Sequence, residues 1–377
     1  MPKPIRAYVG TYSTTEAQQE SPGKGKGIYV FEMDPATGFL TGQDVFVNGN
    51  NPTWIDAHPD GVHLYGSNEV AHFEGQRSGS VSAYTIERST GRLSLLNTVS
   101  SEGAWPAHLS VHPSGRYVLV ANYAGGTIAV LPIRPGGALG PATDVKHDVR
   151  PAGKERATSG PPGSLAISGH DGPHPHMIGF DPTGCHILNT DLGLDRIYVW
   201  TLDLESGKLH SNNPPFVALP SGDGPRHFVF HPTGPWMYSL QEEASTVVTF
   251  DYNAEGGKLS PRQAISSLPG GFAGTNFTSE IRISRDGRFL YAANRLHDSI
   301  SWFSIGKDGA LSFAGGESTR GDYPRSFSFD PSETFLYSCN QHADAVTLFR
   351  RDAQSGQLTF TGRYFPVASP AVILFTR

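Results

Sequence analysis

Six hairpin-like stretches of this chain each offer two positions, 15 or 16 residues apart, whose residue types can do chemistry. The pairs are Trp54/Glu69, His108/Tyr123, His176/Asp191, Arg226/Glu242, Glu280/Arg295 and Arg325/Gln341, and Ser369 and Tyr12 supply a seventh from the two ends of the chain. His and Glu can take or give protons near neutral pH. Arg can hold an anionic group in a forked pair of hydrogen bonds and stabilise developing negative charge. The set therefore suits acid–base chemistry on an anionic substrate.

Such residues act together only if the backbone brings them to one place. Each pair brackets a turn of the type His/Asp-Pro-x-Gly or its equivalent, near residues 60, 114, 183, 233, 286 and 332. An alternating apolar run enters the turn and an aromatic or β-branched run leaves it. A third run follows, as in Ser80–Ile86 or Ser299–Ile305, then a Gly-x-Leu turn (Gly91, Gly207, Gly257, Gly309, Gly356) and a weaker fourth run. Four short strands per period of about 50 residues predict a β-propeller. The ends complete the count. Residues 369–376 match a first run, and residues 6–12, 27–33 and 39–47 match the second, third and fourth. The expected fold is all-β: a seven-bladed β-propeller, four antiparallel strands per blade, with the N- and C-termini sharing the closing blade, as a single domain over residues 1–377. The longest interval between turns, 69 residues, holds a Gly- and Pro-rich stretch, 134–172, that reads as an inserted loop. In a blade whose first strand lines the channel, the paired residues form a ring at one mouth. The opposite mouth is expected to hold only the Pro, Gly, Asp and His of the turns.

Composition excludes other classes. Gly and Pro number 44 + 29 = 73 of 377 residues. That is too many breakers for a helical bundle, and they are not periodic as in collagen. Aromatic residues at 11% argue for a packed core rather than disorder. The net charge is 29 − 35 = −6 with no basic run, which argues against nucleic acid as a partner. Cys185 and Cys339 are too few for a disulfide framework and read as reduced core residues. No apolar stretch is long enough for a signal peptide or a membrane span. The expectation is a cytoplasmic protein, a monomer or weak homo-oligomer.

At these residues the chain resembles the seven-bladed propeller lactonase family, which holds the propeller-type 6-phosphogluconolactonases and the carboxy-muconate cyclases. The matching stretches run in order along the whole chain: Gly10-Thr-Tyr12, Asn51-Pro52, Asn122-Tyr123, His174-Pro-His176, Asp191-Leu-Gly193, Asp195-Arg196, Gly224-Pro-Arg-His227, Glu242, Asn294-Arg295, Pro324-Arg325 and Asn340-Gln341. The resemblance implies His176, Arg226, Glu242 and Arg295 as active residues. Arg325, His108, Tyr123, Glu69, Asp191 and Gln341 stand as substrate contacts. It implies hydrolysis of an anionic sugar lactone, foremost 6-phosphogluconolactone, without metal or cofactor. A carboxy-muconate cyclising enzyme and a non-catalytic sugar- or protein-binding propeller are the alternatives. Arg282 departs from the family pattern, where His is frequent, and alternation puts it on the face of Glu280.

Other signals weigh less. His170, Asp171, His174 and His176 invite a metal, but a Gly-Pro break separates His170 from the others. Gly23-Lys-Gly-Lys-Gly27 lacks P-loop spacing and reads as a turn. No Gly-x-Ser-x-Gly marks a serine nucleophile. Asn276-Phe-Thr278 is a glycosylation sequon only in a secreted protein.

Overall fold

The computed structural model describes residues 4–14, 23–148 and 156–376. These fold into seven four-stranded antiparallel sheets arranged as a ring of blades. Blades 1 to 6 cover residues 52–100, 106–147, 175–218, 225–266, 278–318 and 324–366. In blade 7 the strand Pro370–Thr376 is innermost and pairs with Ile5–Thr11, Tyr8 opposite Leu374. Gly27–Met33 and Leu40–Val47 follow outward. The last strand thus staples the first into the ring, as the sequence pattern predicts.

The inner hairpins turn where the Pro-x-Gly motifs lie. Gly115 shows why glycine is needed there. Its φ is +67°, and a Cβ would lie 2.7 Å from His58 Nε2 of the preceding blade. The apolar core lies between blades rather than at the centre. Seven buried clusters fill the seven interfaces: Tyr65, Val81 and Val120 between blades 1 and 2, for example, and Leu240, Phe303 and Leu311 between blades 4 and 5. A polar clasp repeats over five of these interfaces. The hydroxyls of Tyr8, Tyr65, Tyr238, Tyr291 and Tyr337 each donate to the carbonyl of a glycine in the next blade's outer turn, at 2.6–2.9 Å.

Two expectations need correction. The 134–172 stretch is not wholly an inserted loop, since Asp144–His147 is the fourth strand of blade 2, paired with Thr127–Val130. Its short length and polar composition hid it, and residues 149–155 lie outside the described ones. Cys339 is buried, but Cys185 sits exposed just after an inner turn; both are free thiols.

Candidate active site

One backbone device positions the mouth residues. In all seven blades the N–H of the residue just beyond the second strand donates to the carbonyl of the residue that precedes the inner strand. The donors are Tyr12, Glu69, Tyr123, Leu192, Glu242, Arg295 and Gln341, at 2.7–3.0 Å. The accepting residue has a left-handed backbone in five blades (Asn51, Trp105, Gly224, Tyr323 and Ser369), each followed by the proline that starts the strand. Proline suits that place because its absent N–H breaks no ladder bond. Just inside the strand start, all seven inner strands carry a β-bulge, which lets Thr53, Ala107, His176, Arg226 and Arg325 stand as extra residues turned toward the mouth.

This register puts Thr53 and Ala107, rather than Trp54 and His108, at the mouth, and it moves Asp191 out of the site. In blade 3 the mouth position belongs to Leu192. Asp191 aligns with Asn68, Asn122, Asn294 and Asn340. Its carboxylate accepts the N–H groups of His174 and Leu194 at 2.9 and 3.0 Å and so shapes a loop.

At the mouth, Glu242 Oε2 lies 2.8 Å from both Arg226 Nε and Arg295 Nη2. All three side chains are buried. Burial alone would raise the Glu242 pKa, but Arg295 and Arg226 outweigh it and hold the carboxyl below its ordinary range. Arg226 also contacts His227 Nε2 at 3.2 Å and donates to the Ser279 carbonyl, so it stands beneath Glu242. Arg295 bonds the Tyr323 hydroxyl at 3.1 Å and lies over the rings of Phe277 and Tyr323. A second chain runs from Arg325 Nε to the Tyr12 hydroxyl at 3.1 Å, and Tyr12 donates to Glu69 at 3.2 Å. Thr53 also donates to Glu69, at 2.6 Å.

A cavity of about 20 Å³ lies among Glu69, Ala107, Tyr123, His176, Glu242, Arg295 and Arg325. Six of these seven are residues singled out from sequence. His176 Nδ1 and Arg325 Nη1 are buried there without a hydrogen-bond partner. Burial, then the nearby Arg226, pushes His176 well below the usual imidazole pKa, so its ring is neutral at pH 7. Three guanidinium groups against the carboxylates of Glu242 and Glu69 give the site 3 − 2 = +1 charge, within a chain of −6.

The remaining predicted residues are close by but outside that cavity. Gln341 holds a mouth position and is buried, its Oε1 without a hydrogen bond. His108 lies one layer deeper, its ring 4.3 Å from that of Trp54 and 5.5 Å from that of His227. His227 also packs 5.3 Å from Trp54 and 5.1 Å from His176. These rings form a septum across the channel. Below it, on the turn side, is a chamber of about 540 Å³ that contains Asp56 and Arg282. The opposite mouth therefore holds more than turn residues. Sequence reading left His227 and Tyr323 out of the site. The alternation that placed Arg282 beside Glu280 could have placed His227, whereas Tyr323 precedes its strand, on the left-handed residue before Pro324, outside the paired positions.

The candidate metal cluster disperses. His170 Nε2 pairs with the buried Glu243 at 2.9 Å, His174 pairs with Asp171 at 2.6 Å, and His176 faces the small cavity. Lys24 of the glycine-rich turn pairs with Asp344 at 2.8 Å.

A closed ring whose mouth carries different polar residues from every blade around a buried, cationic cavity defines a propeller with an asymmetric polar pocket at that mouth. The chain matches the model of the lactonase family, 7-bladed beta-propeller, over residues 6–375, and it belongs to that family. It is 34% identical to a 6-phosphogluconolactonase of Bacillus subtilis over 374 residues, 98% of this chain and 97% of that one. It is 30% identical to a 6-phosphogluconolactonase of Formosa agariphila, over 89% of this chain and 91% of that one. Among solved structures, a periplasmic gluconolactonase of Pseudomonas aeruginosa superposes with a TM-score of 0.88 at 30% identity, covering 99% of both chains.

Proposed function

We propose that this protein hydrolyses a sugar lactone, and that its substrate is the anionic 6-phosphogluconolactone, opened to 6-phosphogluconate. The observation that carries this reading is the net positive, buried cluster of Arg226, Arg295 and Arg325 beside a neutral His176. The relatives named 6-phosphogluconolactonase support it. So do the blade-specific residues of the mouth, which a repetitive docking scaffold would not need.

The cavity has room for a water molecule. In this mechanism that water is the nucleophile, and the lactone sits above it in the mouth. A ring nitrogen of His176 takes a proton as the water oxygen bonds to the lactone carbonyl carbon. Arg325 and Arg295 face the oxyanion and the phosphate. The ring C–O bond then breaks, and the imidazolium returns its proton to the departing ring oxygen. Glu242 remains ionised and holds both guanidiniums in place. Arg226 acts through Glu242 rather than on substrate. Tyr123 and Glu69 border the cavity, where they contact substrate hydroxyls. The whole ring is taken as one domain. With a phosphorylated substrate, the reading is of a cytoplasmic enzyme in the oxidative branch of sugar-phosphate metabolism, a monomer or weak homo-oligomer.

The test is hydrolysis of freshly generated 6-phosphogluconolactone beside unphosphorylated gluconolactone, with the spontaneous rate subtracted. The expected result is a clear preference for the phosphorylated lactone. No rate above background on either lactone overturns the proposal. Equal rates leave a lactonase but remove the phosphate, and with it the argument for the cytoplasm.

A further inference from the structure

The chamber below the septum has the size and character of a ligand site. Its volume, about 540 Å³, lies in the range of small-molecule pockets. Trp54, Phe230 and Leu374 give it apolar walls, with Ser110, Thr183, Ser328 and the carboxyl groups of Asp56 and Asp181 among its polar residues. One cation enters it, Arg282. That guanidinium is unlike the other three of the channel. Arg226, Arg295 and Arg325 all make hydrogen bonds, whereas Arg282 makes none among the described residues. Its nearest charged neighbour is Glu280, 3.5 Å from its Nε, and that Nε is buried.

Neither nearby carboxylate gives it a hydrogen bond, although Glu280 Oε2 is itself buried without a hydrogen-bond partner. Asp56 accepts the N–H of Val111 and of Ala57, each at 2.9 Å. Glu280 accepts the N–H of Ile281 at 3.1 Å and faces His227 Nδ1 at 3.4 Å. A planar fork of donors therefore faces the chamber with no hydrogen bond to an acceptor among the described residues. Such a fork is geometrically matched by a carboxylate.

We propose that this chamber binds a small organic monocarboxylate with an apolar body, its carboxylate on Arg282 and its body against Trp54 and Phe230. Asp56 and Glu280 set the charge limit. A monoanion gains the fork of Arg282 against these carboxylates, whereas a second negative charge meets no further cation among the described lining residues. The lower chamber thus differs from the upper mouth, which carries net positive charge and suits a phosphate. The proposal does not depend on the reaction assigned to the mouth.

Benzoate is the probe, with phenyl phosphate as its dianionic analogue and benzamide as its neutral one. Binding is followed by calorimetry on the full chain, alongside quenching of tryptophan fluorescence. The expected result is benzoate binding at roughly millimolar Kd, as suits so few atoms, with both analogues at least tenfold weaker. R282Q should abolish it, and R282K should weaken it while keeping the charge and the fold, checked by an unchanged Tm. R325Q, in the upper mouth, should leave the affinity within twofold. Absence of benzoate binding overturns the proposal. So does tighter binding of phenyl phosphate, or binding that survives R282Q and is lost in R325Q.

Discussion

Glu242 is the residue on which most of the mouth depends, because one carboxylate oxygen is shared by two buried guanidiniums. Glu242→Gln should cut kcat/KM on the lactone by about 100-fold or more and destabilise the fold by about 3–5 kcal/mol, since it leaves two buried cations uncompensated. Denaturant unfolding and background-subtracted kinetics read the two effects separately. His176 gives a pH signature. Burial and Arg226 keep its pKa well below 6.5, so the neutral, base-competent ring persists as pH falls through the ordinary histidine range. kcat/KM should stay level from pH 7.5 to 6.5 and decline only below, and an acid limb centred at or above 6.5 would remove His176 as the base. The chemical types of this site were legible because charge is scarce in the chain and recurs at one spacing. What was not legible was the exact side of each residue. The bulge near each strand start makes the true spacing 16, as in Thr53/Glu69, His176/Leu192 and Arg226/Glu242, so a pair read at 15 is one residue out, and that single residue separates Asp191, which braces a loop, from Leu192, which faces the mouth.

At the level of elements, the inter-blade tyrosines and the clamped strand ends decide whether the mouth keeps its shape. Tyr291 lies in the strand Phe289–Asn294, which ends just before Arg295, and its hydroxyl reaches Gly356 of the next blade at 2.8 Å. Tyr291→Phe should cost about 1 kcal/mol, the net worth of one hydrogen bond, with little effect on kcat. Asn294→Ala should cost more, about 2–3 kcal/mol, because the Asn294 amide joins Ser267, Ser299 and Ser301 and its loss orphans buried groups. Its larger fall in activity, read against the Tyr291 variant at matched stability, would show the strand end acting on Arg295. The strands themselves were readable from alternation and turn residues. The clasps were not, since a tyrosine in a strand looks the same whether its hydroxyl is bonded or free.

For the whole molecule, stability depends on two opposed sets of buried groups. His108 and His176 are pushed well below 6.5 and His227 to about 4, each first by burial, so each takes up a proton on unfolding between its lowered value and 6.5. These three lower stability as pH falls through that window. Asp56, Asp191 and Asp223 are raised to about 6, again first by burial, so each releases a proton on unfolding between about 6 and 3.8 and raises stability as pH falls. In Asp56→Asn one of the opposing groups is gone. Its stability should therefore drop more steeply than that of the parent between pH 6 and 4, by up to about 1.4 kcal/mol per pH unit, as urea midpoints would show. The seven-fold count followed from repeats alone, whereas these proton inventories follow only from packing. The packed rings of Trp54, His108, His227 and His176 have a consequence for traffic. They make the ring a cup and not a tube. On this arrangement a substrate seated above the rings enters and leaves by the same mouth, and each product vacates it before the next substrate is seated.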